Sequence, residues 1–176
     1  MPNVVRNVVK VKGLSELKGI FYQPKSRTID FNTIIPEPKT PNDCHEKYIL
    51  GDDKKCREGI GLQEQDGKPW FNWYDWHMDN WGCKWNVMDG SRPDPDTVIF
   101  ETANTCPYPI IAKISKIAGD EILVLETTDL DGDMYRTYRM EWVNGYNTKA
   151  EVIVTDPDTG EETVKELEVH AGYAMY

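Results

Sequence analysis

His77 and Cys83 are the two side chains in this sequence best suited to chemistry. A neutral imidazole can take the proton of a nearby thiol and release a nucleophilic thiolate, so a Cys–His pair is a constellation for covalent catalysis. Both residues, however, lie in a tryptophan-rich stretch. There, a half-buried histidine hydrogen-bonded within an aromatic core is the plainer reading, and we adopt it. Cys44-His45 with Cys56 supplies three residues of zinc-ligating type, but no spacing matches a zinc module, and unrelated loop residues are favoured. Asp129-x-Asp131-x-Asp133 matches part of a calcium loop. Its glycine falls at 132 and not 134, and Met140 stands where a bidentate glutamate is needed, so it reads as a hairpin turn. His45 and His170 have no partner by spacing. Gly-x-Gly-x-x-Gly, Walker-type and Gly-x-Ser-x-Gly motifs are missing from the chain. Cys44, Cys56, Cys83 and Cys106 are widely spaced, with no Cys-x-x-Cys, and read as free thiols. We therefore expect no catalytic residue, no metal and no cofactor.

The element that must position His77 and Cys83 is the stretch Trp70 to Asn86, which holds five of the six tryptophans. At about 100° per residue, Trp70, Trp73, Tyr74, His77 and Trp81 fall on one side of a helix over 70–81, and Asn72, Asp75 and Asp79 on the other. Trp76 sits at the edge of the stripe. Gly82 can leave the helix through a positive φ. Cys83, Trp85 and Val87 then alternate with Lys84, Asn86 and Met88, as in a strand with one buried face. A buried tryptophan removes roughly 200 Å² from water, worth about 5 kcal/mol before entropy and unfolded-state corrections. Trp70, Trp73, Tyr74, His77, Trp81, Gly82 and Trp85 are thus the expected organisers of the core. Tryptophans can also form a base-stacking platform, but a single helix face suits packing, and the basic stripe such a platform needs is missing.

Elsewhere, Val4 to Val11 reads as a strand, and Ser15 could cap a short helix containing Leu17, Ile20 and Phe21. Thr28 to Ile35 reads as a short extended piece ended by Pro36, Pro38 and Pro41. The stretch 42–68 is loop-like, with Asn42 or Asp43 able to cap a short helix through Tyr48 and Leu50. Its length makes it a place to look for partner contacts. Asp89 to Pro95 reads as a turn-rich break, and Thr97 to Ala103 as a strand pairing with the Trp85 strand. Asn104 or Thr105 is expected to cap a helix with Pro107 in its first turn, isoleucines at helical spacing and Gly119 as its stop. Glu121 to Thr127 and Tyr135 to Val143 flank the Asp131-Gly132 hairpin signal, and Val152–Val154 with Thr163–Val169 reads as a second hairpin.

The chain has 176 residues and a formal charge of −10. Its length suits one domain. The charge argues against phosphate-driven nucleic-acid binding, which needs clustered lysine and arginine. Acidity serves solubility, and it also offers a surface to a basic protein in the manner of a nucleic-acid mimic. No apolar run reaches the ~20 residues of a membrane span. Met1 to Arg6 lacks the plan of a signal peptide, so an intracellular, cytoplasmic location is expected.

Runs of antiparallel strands with two or three helices on one face indicate an α+β sandwich. A βαββαβ core fits it, with an insertion before the second strand and extra antiparallel strands at the C-terminus. The motifs Met1-Pro2-Asn3, Gly13, Asp30-Phe31-Asn32-Thr33-Ile34-Ile35-Pro36-Glu37-Pro38, Trp73-Tyr74-Asp75-Trp76, Asn80-Trp81-Gly82-Cys83-Lys84-Trp85-Asn86 and Thr102-Ala103 together resemble the YubB-like ferredoxin-fold family of conjugative plasmids and phages. The likeness spans residues 1 to about 143. Two features depart from it: Asn104-Thr105-Cys106-Pro107, where the family usually has a further tryptophan, and the C-terminal hairpin. The resemblance implies a ferredoxin-like domain over 1–143 with an irregular insertion about 36–69. Residues 144–176 are then a hairpin extension packed on, or extending, the same sheet. It also implies a mobile-element origin, no iron–sulfur cluster and no established catalytic residues. The expected function is a non-enzymatic accessory protein that binds a basic host protein, for instance to inhibit a host defence system. Asp75, Asp79, Trp76, Lys84, Asp52 and Asp53 are the candidate contact residues. A homodimer through sheet-edge pairing is a further expectation. The alternative is a module that sequesters a nucleotide signal in an aromatic pocket near Trp76, Lys84 and Trp85.

Overall fold

The computed structural model of the chain describes residues 3–21, 28–37, 48–50, 56–58, 64–65, 68–69, 73–132, 135–170 and 173–174. Strands of varied composition, from the β-branched runs Val4–Lys10 and Thr97–Ala103 to the proline-containing Asp89–Asp94, form one large sheet. These are β1 (Val4–Lys10), β6 (Asp89–Asp94), β7 (Thr97–Ala103), β8 (Leu123–Asp129), β9 (Arg136–Val143), β10 (Tyr146–Thr155) and β11 (Glu162–Leu167). Their order is β11-β10-β9-β8-β1-β7-β6, with every neighbouring pair antiparallel. Short hairpins pair β2 (Tyr48–Leu50) with β3 (Cys56–Glu58), β4 (Glu64–Gln65) with β5 (Lys68–Pro69), and β12 (Val169–His170) with β13 (Tyr173–Ala174). The helices are α1 (Phe31–Ile34), α2 (Trp73–Asn80) and α3 (Tyr108–Ala118), preceded by a 3₁₀ turn at Leu14–Glu16. Among the described residues no helix is long and apolar enough to cross a membrane.

This architecture corrects the ferredoxin-like βαββαβ expectation. The molecule is organised by a seven-stranded antiparallel sheet accompanied by three short helices of four, eight and eleven residues. The crossover from β1 to β6 is too rich in proline and glycine for a long covering helix. Its described residues form a 3₁₀ turn, two short helices and two two-stranded ribbons.

Several local expectations change for identifiable reasons. Thr28 to Ile35 is not extended: the Asp30 carboxylate accepts from Asn32 N at 2.9 Å and caps α1, which buries Phe31 and Ile34. Ser15 caps nothing. Gly13, at φ 73, starts a single 3₁₀ turn that ends before Leu17. Tyr48–Leu50 is a strand and not a helix, consistent with its aromatic and β-branched content; Asn42 and Asp43 lie outside the described residues. No strand forms over 83–88. The Asn86 side chain instead ties this segment to the start of α1, accepting from Phe31 N at 3.0 Å and from Val87 N at 2.9 Å and donating to Asp30 Oδ1 at 2.8 Å. The partner of β7 is Asp89–Asp94, the segment expected to be a break, which carries Pro93 at the sheet edge. Neither Asn104 nor Thr105 caps α3. Pro107 holds the cap position, while Gly119 ends the helix at φ 69. β10 begins at Tyr146, six residues before the expected Val152. Asn144 (φ 50) and Gly145 (φ 86) make the two-residue turn that joins it to β9.

Alternation along the strands separates two faces. The inner face carries Val9, Val98, Phe100, Leu125, Met140 and Trp142, packed against Ile110, Ile111 and Ile114 of α3 and against Phe31 and Trp81. The outer face carries a cross-strand row read directly from the register: Ser91, Ile99, Val8, Glu126, Arg139, Glu151 and Glu166. Arg139 bridges Glu126 at 2.8 Å and Glu151 at 3.1 Å, and Lys149 reaches Glu151 at 3.2 Å. Burial pushes the Glu151 carboxyl upward in pKa, but the bonds from Lys149 and Arg139 outweigh it and hold the group below its ordinary value.

Candidate functional site

α2 is an eight-residue helix that delivers His77 and Trp81 to the inner face. Trp81 is 1% exposed. Its ring meets Phe31 edge-on at 5.7 Å, Trp76 edge-on at 5.6 Å, and His77 in a stack at 3.9 Å. Its Nε1 donates to the Ile35 carbonyl at 2.9 Å, which pulls the α1 tail against α2. His77 is buried. Its Nδ1 stands 2.7 Å from the Lys84 carbonyl, which can only accept, so Nδ1 carries the hydrogen. Nε2 stands 3.3 Å from Oε1 of Glu37. His77 therefore ties α2 to the residues after Gly82, and its Nε2 faces Glu37.

Gly82 turns the chain at φ 79. Its N–H donates to the His77 carbonyl at 3.0 Å, and its carbonyl accepts from Thr105 Oγ1 at 2.6 Å. Cys83 is buried, and its thiol donates to the Trp85 carbonyl at 3.2 Å. Burial pushes the Cys83 thiol up to about 12, against the smaller opposing effect of the Trp85 bond. Cys106 is likewise buried, and its thiol is raised well above the ordinary value. The Cys–His alternative thus meets two side chains committed to backbone carbonyls, one a thiol that holds its proton. Labelling should show this. With iodoacetamide at pH 8, native Cys83 and Cys106 stay unmodified by peptide mapping and become modified on unfolding. Native labelling of Cys83 at the unfolded rate would contradict it. Because the native thiol pKa lies above the unfolded value near 9.0, this group's stabilisation is complete below pH 9 and is lost as the pH rises toward 12.

The remaining candidates are placed as follows. Tyr74 is 42% exposed and not in the core, and Trp85 is 37% exposed. Both correct the expectation that they organise the core. Among the described side chains of α2, His77 is the buried one. Trp85 instead lies beneath the Lys84 ammonium, 4.4 Å from its ring centre. Trp76 and Asp75 are half-buried and Asp79 is exposed. Trp73 opens α2, but its side chain, like Trp70, Asp52 and Asp53, lies outside the described residues, as do Cys44 and His45. Among the described residues no group of His, Cys, Asp or Glu is placed to hold a metal ion. Asp129 Oδ1 accepts from the backbone of Asp131 and Gly132, at 3.1 and 2.9 Å, and Asp131 Oδ2 from Val4 N at 2.7 Å, as turn residues do.

Two cavities accompany this cluster. An open groove of about 470 Å³ between α3 and the β9–β10 turn is lined by Pro109, Lys113, Lys116, Asn144, Gly145 and Tyr146 among others. A pocket of about 280 Å³ lies at the other end of α3, against Val5, Asn104, Cys106, Tyr108, Thr127 and Tyr138. Trp76, Lys84 and Trp85 line neither cavity. Sequence reasoning missed Glu37 and the groove lysines. Glu37 carries no motif, whereas Lys113 and Lys116 sit on the polar side of the isoleucine stripe and were legible as such. No protein-family model, curated protein or solved structure matches the chain.

Proposed function

We propose that this chain is a non-enzymatic binding protein that engages a basic partner protein through its acidic surface. As an accessory factor of a phage or other mobile element, it would act by inhibiting a host defence system. The observation that carries the binding reading is the outer face of the sheet. Its strands β8 to β11 turn the charged run Glu126, Arg139, Glu151 and Glu166 away from the helices, on a chain of net charge −10. A broad face of this kind suits a macromolecule better than a substrate. The mobile-element origin rests on the motif resemblance, and His77 and Cys83 have packing roles that make binding the simpler use of the molecule.

The test is affinity capture from bacterial lysate, with bound proteins and nucleotides identified by mass spectrometry. A stoichiometric basic protein is expected, released as salt rises from about 0.1 M to about 1 M and the screening length falls from ~10 Å to ~3 Å. Association unchanged across that range overturns the electrostatic reading. A second reading, a module for a small anionic molecule, is favoured by the groove that places Lys113 and Lys116 beside the exposed Tyr146. A nucleotide recovered without a protein would select it, and Lys116→Glu should then abolish the recovery.

A further inference from the structure

The sheet has two edges, and they are built differently. β6 is interrupted: Pro93 has no N–H to offer, and its pairing with β7 shifts register between Ser91 and Asp94. β11 pairs with β10 without interruption over six residues, from Thr155 opposite Glu162 to Ala150 opposite Leu167. Among the described residues no strand pairs with its other side, and Glu162 to Glu166 are exposed.

The register fixes which groups point outward. Thr155 N donates to the Tyr135 carbonyl at 2.8 Å, toward β9, and Asp156 N to the Glu161 carbonyl at 2.8 Å, toward β11. Because antiparallel strands direct alternate residues to alternate sides, Thr163, Lys165 and Leu167 bond to β10. Glu162, Val164 and Glu166 turn their N–H and C=O groups to the open edge. The side chains of the same three residues share the outer face, opposite Thr155, Ile153 and Glu151. Glu151 is already held by Arg139 and Lys149, whereas among the described residues neither Glu162 nor Glu166 forms an ion pair. Val164 between them is 53% exposed.

We infer that β11 is a docking edge for an extended segment of a partner protein, one that places a cationic side chain on each side of an apolar one at two-residue spacing. The inference rests on the protein-binding reading above and supplies its recognition chemistry. An added antiparallel strand would exchange backbone bonds with Glu162, Val164 and Glu166 and set its alternate side chains against theirs. A second copy of this chain fits poorly. Two-fold pairing keeps like faces together, and its longest register, Val164 against Val164, sets Glu162 against Glu166 twice. Like charges directly opposite are destabilising.

The experiment uses the full chain, labelled with ¹⁵N, and two capped peptides: Thr-Lys-Thr-Val-Thr-Lys-Thr and its charge-reversed form Thr-Glu-Thr-Val-Thr-Glu-Thr. The lysine peptide is expected to slow amide exchange at Glu162, Val164 and Glu166 at least tenfold, and the glutamate peptide to leave it unchanged. The double variant Glu162→Lys, Glu166→Lys should exchange these preferences. Val164→Pro removes an outward donor that β10 does not use, so it should keep the unfolding midpoint and lose the peptide. Unchanged exchange at all three amides with saturating lysine peptide overturns the proposal. So does equal binding of both peptides, or wild-type binding by a folded Val164→Pro protein. If Val164→Pro does not fold, the charge exchange decides. A lysate partner captured equally by wild type and Val164→Pro keeps the protein-binding reading and overturns the edge. Peptide protection with no lysate partner overturns the broader reading and leaves the edge standing.

Discussion

Gly82→Ala lowers the stability of the folded chain by about 2–5 kcal/mol. Two independent costs meet at this residue. An L-residue at φ 79 is in the left-handed region, which costs roughly 1–2 kcal/mol. The added Cβ would also lie 2.7 Å from Cδ of Pro109 and 3.3 Å from Tyr108 N. That ring belongs to the first turn of α3, whose isoleucines are buried, so it cannot move without displacing the helix. Overpacking of this kind costs roughly 1–3 kcal/mol. Gly160→Ala is the matched control, with φ 71 and nothing within 4 Å of the new Cβ, so it carries the backbone cost alone. Urea unfolding of both variants separates the two. Equal losses would show that the approach of Gly82 to α3 carries no energy.

Trp81→Ala costs about 3–5 kcal/mol, the range for deleting a large buried aromatic. The ring is the junction of the inner layer, touching Phe31, Trp76 and His77 and bonding to the Ile35 carbonyl. Trp81→Phe keeps an aromatic against His77 and removes the indole N–H. Its cost should be smaller, about 1–3 kcal/mol for an unsatisfied buried carbonyl and lost ring volume. Near-ultraviolet circular dichroism of the alanine variant should lose much of its aromatic signal along with the stability. A change below about 1 kcal/mol would place the anchor of the core elsewhere.

These two residues also mark how far the sequence could be read. The tryptophan stretch was legible as the place where the core is anchored, because Trp81 and Gly82 follow rules of local spacing and backbone conformation. The wider stripe was not, since the 100° rule assigns a face without saying how much of it meets the sheet, and Tyr74 lies on the part that does not. β1, β7 and β8 follow runs with β-branched residues, β9 follows the Asp131-Gly132 turn signal, and α3 follows its isoleucines and Gly119. α1 was missed because Phe31 and Ile34 also fit alternation, and the deciding signal is the Asp30 cap. Asn144-Gly145 is a strong hairpin signal that was passed over, and with it the first half of β10. The seven-strand order was out of reach, because pairing partners such as Val5 and Thr102 are far apart in the chain and no local pattern specifies them. The same holds for Glu37 beside His77, which only tertiary structure brings together.

The central position of β1 has a consequence for synthesis. β1 leaves the ribosome long before either neighbour exists: its partner β7 begins at Thr97 and β8 ends at Asp129. At about 5–20 residues per second, the wait for β8 is roughly 6–25 s. Until β7 is complete at Ala103, Val5 and Val9, buried in the finished molecule, have no sheet to enter. Closure of these long loops comes before their contacts can reward it, so the fold has a high contact order and belongs with the millisecond-to-second folders. A nascent chain halted before Thr97 therefore displays a bare apolar strand, and chaperones that hold extended apolar segments should bind it there and release it once β7 and β8 have emerged.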